Sequence, residues 1–316
     1  MGNSPSPNPT AGYRSAVSHS DSVKLQSTGL RGVSVGHWSD HAARTGCTVL
    51  ILPEGTVASR EVRGGAPATR DLDALAPDKA VTSTDAVVLT GGSAFGLAAA
   101  DGVMRFLEAA GRGVPTPGGR VPIVPTLALF DLGIGDASVR PGADNAFTAA
   151  QAASGPEFEV GQIGAGSGAL TSWWRGRDAA RPGGLRYAET TLGEVVVGAW
   201  CAVNAFGDID HGGDAEVDLS AVADLAPPFD FDSERTHTTI GAVVTNARLD
   251  KTACYVMAQG AHDGLSRALT PPHTRYDGDA FIAAATCEVP ADVDTVRLMA
   301  LDAVSRAIRS AGTRPV

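Results

Sequence analysis

A run of hydroxyl side chains near residue 240 is the first place in this sequence where nucleophilic chemistry can be sought. Thr236, His237, Thr238 and Thr239 follow a long acidic stretch and precede an apolar segment that begins at Ile240. A threonine hydroxyl is a weak nucleophile unless a base lies beside it. On residue types alone the run predicts only the start of a strand, because threonine is a common strand former.

Two carboxylates and one amide further along the chain have types that suit acid–base and electrostatic catalysis. Asp277 and Asp279 flank Gly278, and two acceptors so close together can hold an ammonium group and a hydroxyl group. The same spacing is typical of a turn, or of a helix start with Asp279 as N-cap. Asn204 ends the strongest strand pattern, where its amide either binds neighbouring backbone or stabilises developing negative charge.

Other polar and glycine-rich patterns do not amount to cofactor or metal sites. Gly91–Gly96 and Gly164–Gly168 lack the complete fingerprint of a dinucleotide-binding or phosphate-binding loop. His37 and His41 are four residues apart, but Trp38 stands where the zinc-protease motif needs glutamate. The sequence therefore predicts no cofactor and no metal.

A series of short motifs follows along the chain in a fixed order. They are Gly32–His37 with Thr45–Thr48, Val62–Pro67, Leu89–Leu97 with Ala100–Met104, Gly164–Gly168, Ala202–Ala205, His262–Gly264 and Pro272–Asp279. Together with Thr238–Ala247, this series resembles the L-aminopeptidase/D-esterase family of self-cleaving hydrolases, which includes the nylon-oligomer (6-aminohexanoate-oligomer) endohydrolases. Thr238–Ala247 is similar to the start of the small subunit in that family.

The resemblance implies that the chain cuts itself between His237 and Thr238, giving residues 1–237 and 238–316. An N-terminal threonine carries its own base, because an α-amine has an unperturbed pKa of about 7.7–8.0. By the same resemblance, Asp277 and Asp279 orient the nucleophile, and Asn204 is a donor on the oxyanion side. Supporting roles fall to Asn246 and Lys251.

The sequence departs from the family pattern after Gly164–Gly168, where the family has a lysine. Trp173 stands near that position, and Arg175 is the candidate to supply the missing positive charge. This departure concerns the substrate pocket more than the nucleophile.

Several functions stay open at this stage. The resemblance implies an amide hydrolase for linear oligomers such as those of 6-aminohexanoate, with an aminopeptidase that releases small N-terminal residues as the main alternative. A second alternative, from another enzyme class, is acyl transfer as in the ornithine acetyltransferases. A third alternative is a non-catalytic binding protein with the same fold.

The elements that must position these residues alternate between strands and helices, which predicts a layered α/β or α+β domain. The predicted strands are Thr48–Leu52, Ala86–Leu89, Glu194–Asn204, Thr239–Thr245 and Ala253–Ala258. The predicted helices are Ser93–Ala110 with Ser93 as N-cap, His262–Ala268, Asp279–Thr286 and Asp292–Ala311. The family resemblance implies a four-layer α/β/β/α sandwich of the N-terminal-nucleophile type, assembled as a tetramer of processed chain pairs.

Composition indicates a compact globular chain with a disordered tail at 1–24, and the family resemblance implies that residues 25–316 form a single hydrolase domain. Of the 316 residues 43% are hydrophobic and 19% charged, which excludes a wholly disordered chain. The net charge of -10 argues against nucleic acid as a partner, and no apolar run is long enough to span a membrane. The four cysteines stand singly in apolar segments, as reduced thiols do, which predicts a cytoplasmic protein. The family resemblance implies a small amide or short peptide substrate as its partner.

Overall fold

The computed structural model describes residues 23–212 and 237–312, and two five-stranded sheets organise them. The first sheet has the order β2-β3-β6-β9-β5, in which β6 and β9 are parallel and the other pairs antiparallel. Its strands are β2 (Ser34–Asp40), β3 (Thr45–Ile51), β5 (Ala68–Arg70), β6 (Ala86–Thr90) and β9 (Thr126–Ala128).

The second sheet carries the candidate site and has the order β13-β14-β16-β18-β4. β16 and β18 are parallel, and every other pair in this sheet is antiparallel. Its strands are β4 (Val57–Val62), β13 (Gly184–Leu192), β14 (Val195–Val203), β16 (Ile240–Ala247) and β18 (Ala280–Val289).

Short strand pairs and helices complete the described fold. The pairs are β1 (Lys24–Ser27) with β10 (Glu157–Val160), β7 (Val114–Thr116) with β8 (Gly119–Val121), β11 (Leu170–Thr171) with β12 (Arg181–Pro182), and β15 (Asp208–Ile209) with β17 (Leu269–Thr270). The α-helices are α1 (Ala99–Ala109), α2 (Ala143–Ala152), α3 (Lys251–Ser266) and α4 (Val293–Arg309). Short 3₁₀ turns include Ser93–Ala98, Gly164–Gly166 and Trp173–Arg175.

Alternation along the strands divides the core into three apolar layers. In β14, Trp200 and Ala202 pack between the two sheets, whereas Cys201 and Val203 pack against α3 and α4. On the first sheet the outward residues pack against α1 and α2. Successive strand residues point to opposite faces, so a sheet with both faces covered must be apolar throughout. The result is the four-layer α/β/β/α sandwich that the family resemblance implied.

Several predicted elements match the observed ones, namely β3, β6, β14, β16 and α4. The N-cap of α4 is Asp292, whose carboxylate accepts hydrogen bonds from the backbone of Asp294 and Thr295. The predicted helix at His262–Ala268 is the last part of α3, which ends at Ser266. Residues 1–22 of the predicted tail, and most of the acidic stretch at 207–235, lie outside the described residues. Lys24, which was predicted to be in the tail, begins β1.

Two elements near the candidate site were predicted with the wrong type. Ala253–Ala258, predicted as a strand, lies within α3, because Asp250 caps a helix there by accepting a hydrogen bond from Ala253 N. Asp279–Thr286, predicted as a helix, is the start of β18. Its alanines favour a helix by propensity, but in the fold they keep the strand narrow where helices and a second sheet cover both faces.

The predicted helix from Ser93 to Ala110 is also divided differently. Ser93–Ala98 forms a 3₁₀ turn whose N-cap is Gly92, and α1 begins only at Ala99. Ser93 is therefore not an N-cap, and its φ of 54° lies in the left-handed region. After α1, the hairpin of β7 and β8 leads to β9.

Removing the indole of Trp200 should destabilise the layer between the sheets. Trp200 is fully buried, with its ring centroid 4.6 Å from that of Tyr187 and 5.5 Å from that of Phe158. Truncating a buried tryptophan to alanine costs about 3–5 kcal/mol in free energy of unfolding. Thermal unfolding should show a lower midpoint for Trp200→Ala, whereas Leu298→Ala, at a 60% exposed position, should stay near the wild type. Equal midpoints for the two variants would contradict this view of the core.

Candidate active site

Strand register brings Thr238, Asp279 and Asn204 to one end of the second sheet. Ile240 of β16 lies opposite Ala280 of the parallel strand β18, so Thr238 and Asp279 both stand just before neighbouring strand starts. On the other side of β16, Ala202 of antiparallel β14 lies opposite Ile240, which places Asn204 across from Thr238. Thr238 N accordingly donates a 2.7 Å hydrogen bond to Asn204 O.

The Thr238 hydroxyl lies against the peptide bond that precedes it. Thr238 is 4% exposed, and its Oγ1 donates to His237 O at 2.5 Å. The backbone N–H of Gly278 points at both oxygens, with distances of 3.1 Å to Thr238 Oγ1 and 3.2 Å to His237 O. One fixed donor thus contacts the hydroxyl and the carbonyl that this hydroxyl would attack.

Glycine is required at 278 for this close approach. A Cβ on Gly278 would lie 2.9 Å from Thr238 Oγ1 and 2.7 Å from Ala66 O. The backbone of Arg63–Pro67, which follows β4, packs on the same segment, and Ala66 N donates to Asp277 O at 2.8 Å. This explains why glycines fill both segments: the two loops approach each other through their backbones.

Asp277 is 1% exposed and holds its carboxylate by three donors. Phe206 N lies 3.2 Å from Oδ1, while Thr274 N at 3.2 Å and Thr274 Oγ1 at 2.5 Å reach Oδ2. These bonds favour the ionised form, but burial and the negative charge of Asp279 outweigh them and raise the pKa of Asp277 to about 8. In this structure the Asp277 carboxyl is therefore largely protonated at neutral pH.

Asp279 joins the residue before β16 to a histidine. Its Oδ1 accepts from Thr239 N at 2.9 Å, and its Oδ2 accepts from His273 N at 3.1 Å. His273 Nδ1 lies 2.9 Å from the same Oδ2, and His273 Nε2 lies 3.2 Å from Ser266 Oγ on α3. The carboxylate is held from two sides and cannot rotate freely.

The side chain of Asn204 is bound to neighbouring backbone. Its Oδ1 accepts from Leu170 N and its Nδ2 donates to Phe130 O, each at 2.9 Å. This is the backbone-binding alternative that the sequence left open for a strand-end asparagine. Asn204 contacts Thr238 through its main-chain carbonyl, and one hydrogen of its side-chain amide is committed to Phe130 O.

Aromatic rings surround the residue that precedes the nucleophile. The imidazole of His237 is 5% exposed, and its centroid lies 5.0 Å from that of Trp173 and 6.1 Å from that of Phe206. Tyr276 packs behind Phe206 at 5.3 Å. Burial lowers the pKa of His237 to about 3, so the ring is neutral at pH 7.

Arg175 does not reach this aromatic cluster as a substitute for the lysine expected from the family pattern. Its Nε lies 2.6 Å from Asp208 Oδ2, and its guanidinium lies over the ring of Trp174 at 4.6 Å. Trp173, by contrast, is 7% exposed and turned toward His237.

Asn246 lies near the end of β16 that is opposite Thr238, and Lys251 begins α3 beyond that end. Asn246 Oδ1 accepts from Val196 N and its Nδ2 donates to Glu194 O, each at 2.8 Å, which fixes the start of β14. Lys251 Nζ donates to Ala74 O at 2.9 Å and to Lys79 O at 2.8 Å. The structure therefore does not bring these two residues to the nucleophile.

Three residues of the cluster received no role from sequence reasoning: Phe206, His273 and Gly278. His273 and Gly278 belong to Pro272–Asp279, so their place in that motif was the available signal. Phe206 follows Ala202–Ala205 and offered none, since an isolated phenylalanine is typical of any core.

The described part of the chain presents no metal-binding cluster and no membrane-spanning helix. Within residues 23–212 and 237–312, no group of three or more histidine, cysteine, aspartate or glutamate side chains could hold a metal ion. None of the helices in those ranges is long and apolar enough to cross a membrane.

Comparison with known proteins gives a family match over nearly the whole chain. The model of peptidase family S58 matches residues 27–315. A protein of Mycobacterium tuberculosis (strain ATCC 25618 / H37Rv) named as an uncharacterized aminopeptidase is 40% identical over 285 residues, which cover 82% of this chain and 80% of that protein. The 6-aminohexanoate-oligomer endohydrolase of Kocuria sp. (strain KY2) is 29% identical over 300 residues, covering 85% and 79%.

Solved structures share the fold at lower identity. A beta-aminopeptidase from Burkholderia sp. has a TM-score of 0.65 at 21% identity, and the match covers 89% of this chain and 84% of that one. The L-aminopeptidase D-Ala-esterase/amidase of Ochrobactrum anthropi, described as a variant of the Ntn hydrolase fold, has a TM-score of 0.66 at 19% identity with the same coverage. The chain therefore belongs to peptidase family S58 and is a hydrolase of amide or peptide bonds with an N-terminal-nucleophile fold.

Proposed function

We propose that the chain cuts its own His237–Thr238 bond and then hydrolyses small amide substrates with Thr238 as the N-terminal nucleophile. The observation that carries this proposal is the Gly278 N–H, which lies 3.1 Å from Thr238 Oγ1 and 3.2 Å from His237 O. A donor at that point stabilises the oxyanion that forms on His237 O when Oγ1 attacks. The site is buried, which strengthens such an interaction.

Self-cleavage needs one acyl shift and one hydrolysis. Thr238 Oγ1 attacks the His237 carbonyl carbon, the C–N bond breaks, and the hydroxyl proton ends on the Thr238 nitrogen. The His237 acyl group is then an ester of Thr238, and water hydrolyses it. The products are a His237 carboxylate and a free Thr238 α-amine.

Turnover repeats this chemistry on an external amide. The new α-amine, with an unperturbed pKa of about 7.7–8.0, accepts the Oγ1 proton as Oγ1 attacks the substrate carbonyl. The proton passes to the leaving amine, and water releases the acyl group from Thr238. Gly278 N–H stabilises the oxyanion on the substrate carbonyl as it stabilises the one on His237 O during self-cleavage.

The two carboxylates have their main role after the cut. Thr238 N becomes an ammonium or amine group beside Asp277 and Asp279, and a nearby positive charge lowers the pKa of a carboxyl group. A mostly neutral Asp277 in the uncut chain thus becomes an ionised acceptor in the mature enzyme. Asp279, fixed by Thr239 N and His273, orients the same amine.

The names of the relatives give two candidate activities, and each has its own substrate class. The aminopeptidase relatives are 40% identical, and the 6-aminohexanoate-oligomer endohydrolases are 28–29% identical. The higher identity favours an aminopeptidase, and hydrolysis of 6-aminohexanoate oligomers is the second candidate. In an aminopeptidase, the carboxylates near Thr238 also suit the ammonium group of the substrate.

The proposal extends to the location of the protein and to its assembly. A cytoplasmic site is consistent with the cysteines, since all four lie within the described residues and are free. A tetramer of processed chain pairs rests on the family resemblance alone.

Replacing Thr238 with alanine should leave the chain uncut and inactive. Denaturing intact-mass measurement should give two wild-type species of about 24 and 8 kDa, the smaller beginning at Thr238, and one Thr238→Ala species near 32.1 kDa. Thr239→Val is a matched control, because it replaces a buried hydroxyl that has no hydrogen-bond partner among the described residues, and it should still be cut. A cut Thr238→Ala chain would sink the proposal.

Stability of the uncut chain should fall with rising pH because of Asp277. Its folded pKa, about 8, lies above its unfolded value, so its contribution is fully present below about pH 4 and is lost as pH rises toward 8. Between pH 6 and 8, Thr238→Ala should lose on the order of 2 kcal/mol relative to Thr238→Ala/Asp277→Asn. Thermal melts at several pH values measure this difference.

The control for that series is Thr238→Ala/Asp144→Asn. Asp144 is exposed, with 93% of its side-chain surface accessible, and it pairs with Arg105 at the surface. Its variant should follow Thr238→Ala at every pH. Parallel curves for the Asp277 and Asp144 variants would show that burial does not raise the Asp277 pKa.

Blocking the substrate amine should separate the two candidate activities. An aminopeptidase should cleave a free tripeptide at least tenfold faster than its N-acetylated form, because acetylation removes the ammonium that pairs with a carboxylate. An endohydrolase should cleave both forms, and should also cleave 6-aminohexanoate oligomers with an acetylated end. Chromatography of the products distinguishes these outcomes.

A further inference from the structure

The side chain of His237 occupies a closed space that the proposed chemistry reuses. In self-cleavage, Thr238 Oγ1 attacks the His237 carbonyl, so His237 is the acyl residue of that reaction. In turnover the same oxygen attacks a substrate carbonyl, with the same Gly278 N–H as donor. The acyl residue of the substrate must therefore extend from nearly the same point as His237 does in the uncut chain.

Aromatic rings line that space, so a charged side chain there would be poorly stabilised. The His237 ring lies 5.0 Å from Trp173 and 6.1 Å from Phe206, tilted by 43° and 54°, and Tyr276 packs against Phe206. His237 Nδ1 is buried without a hydrogen-bond partner among the described residues. We call the space bounded by Trp173 and Phe206 the aromatic pocket.

Cleavage itself favours emptying the aromatic pocket. The backbone of His237 pairs with that of Asp277, so the new C-terminal carboxylate would lie beside Asp277, whose carboxyl is buried and interacts with the charge of Asp279. Three carboxyl groups in one buried space repel one another once they ionise. Departure of His237 removes that repulsion and leaves Trp173 and Phe206 facing the nucleophile.

We infer that the aromatic pocket binds the acyl-side residue of the substrate and selects a flat, uncharged ring, as in phenylalanine, tyrosine or neutral histidine. Ring pairs at these centroid distances gain stability beyond the area they bury. A lysine or aspartate side chain would have to lose its hydration without a partner. This inference rests on the proposed function and adds a substrate class to it.

The test compares aminoacyl p-nitroanilides that differ only in the acyl residue. With the mature enzyme, kcat/KM for the phenylalanine compound should exceed that for the alanine, lysine and aspartate compounds by at least tenfold. Trp173→Ala should lower kcat/KM for the phenylalanine compound at least tenfold and for the alanine compound less than threefold. Trp173→Phe should retain the preference, which guards against a variant that fails to fold.

Trp174→Ala is the matched control. Its indole packs under the guanidinium of Arg175 rather than against His237, so both substrates should change less than threefold. A wild-type preference for alanine, lysine or aspartate would overturn the inference. So would a Trp173→Ala variant that loses activity equally on all four compounds.

Self-cleavage gives a second readout that needs no external substrate. In freshly made precursor, His237→Glu should cut at least tenfold more slowly than His237→Phe, because only the glutamate buries a charge in the aromatic pocket. Equal rates would overturn the inference. A wild-type chain that neither cuts nor hydrolyses any anilide overturns the proposed function and the inference with it, whereas a cut, active enzyme with another preference overturns the inference alone.

Discussion

The parallel pairing of β16 with β18 is the constraint on which the candidate site depends. Two strands that start at the same edge bring the residues before them side by side, and here these are Thr238 and Asp279. A parallel pair needs a long crossover, which α3 supplies as it packs on the outer face of the sheet. The two segments whose type was predicted wrongly both belong to this crossover unit: Ala253–Ala258 lies in α3, and Asp279–Thr286 begins β18. A different pairing would separate Thr238 from Asp277 and Asp279.

Burial determines the electrostatics of that edge. Thr238, His237 and Asp277 are each at most 5% exposed, so charges there have little water to stabilise them. The uncut chain meets this condition with a neutral imidazole and a largely protonated carboxyl group. The proposed cut would introduce an amine and a carboxylate together, next to the buried Asp277. Under that proposal, the site folds in one electrostatic state and works in another.

The sequence predicted the convergence of the site better than it predicted the local structure. Thr238, Asp277, Asp279 and Asn204 were identified through motif order, and the register of the second sheet unites them. The type of β18 was missed because its alanines carry helix propensity, whereas tertiary packing on both faces decides for a strand. Side-chain partners, such as Phe130 O for Asn204, were beyond reach because they depend on contacts between distant segments.

The order of strands in the second sheet determines whether the protein could refold after the proposed cut. β16 and β18, with α3 and α4, lie in residues 238–316, and β14 and β4 of the earlier residues flank them on either side. Once the covalent link is broken, the shorter piece is held as the centre of a sheet whose edges belong to the other chain. Before the cut, assembly is intramolecular and independent of concentration; afterwards, reassembly is bimolecular. Under the proposed maturation, the uncut chain can refold by itself, whereas the two pieces stay together only as long as their dissociation is slow.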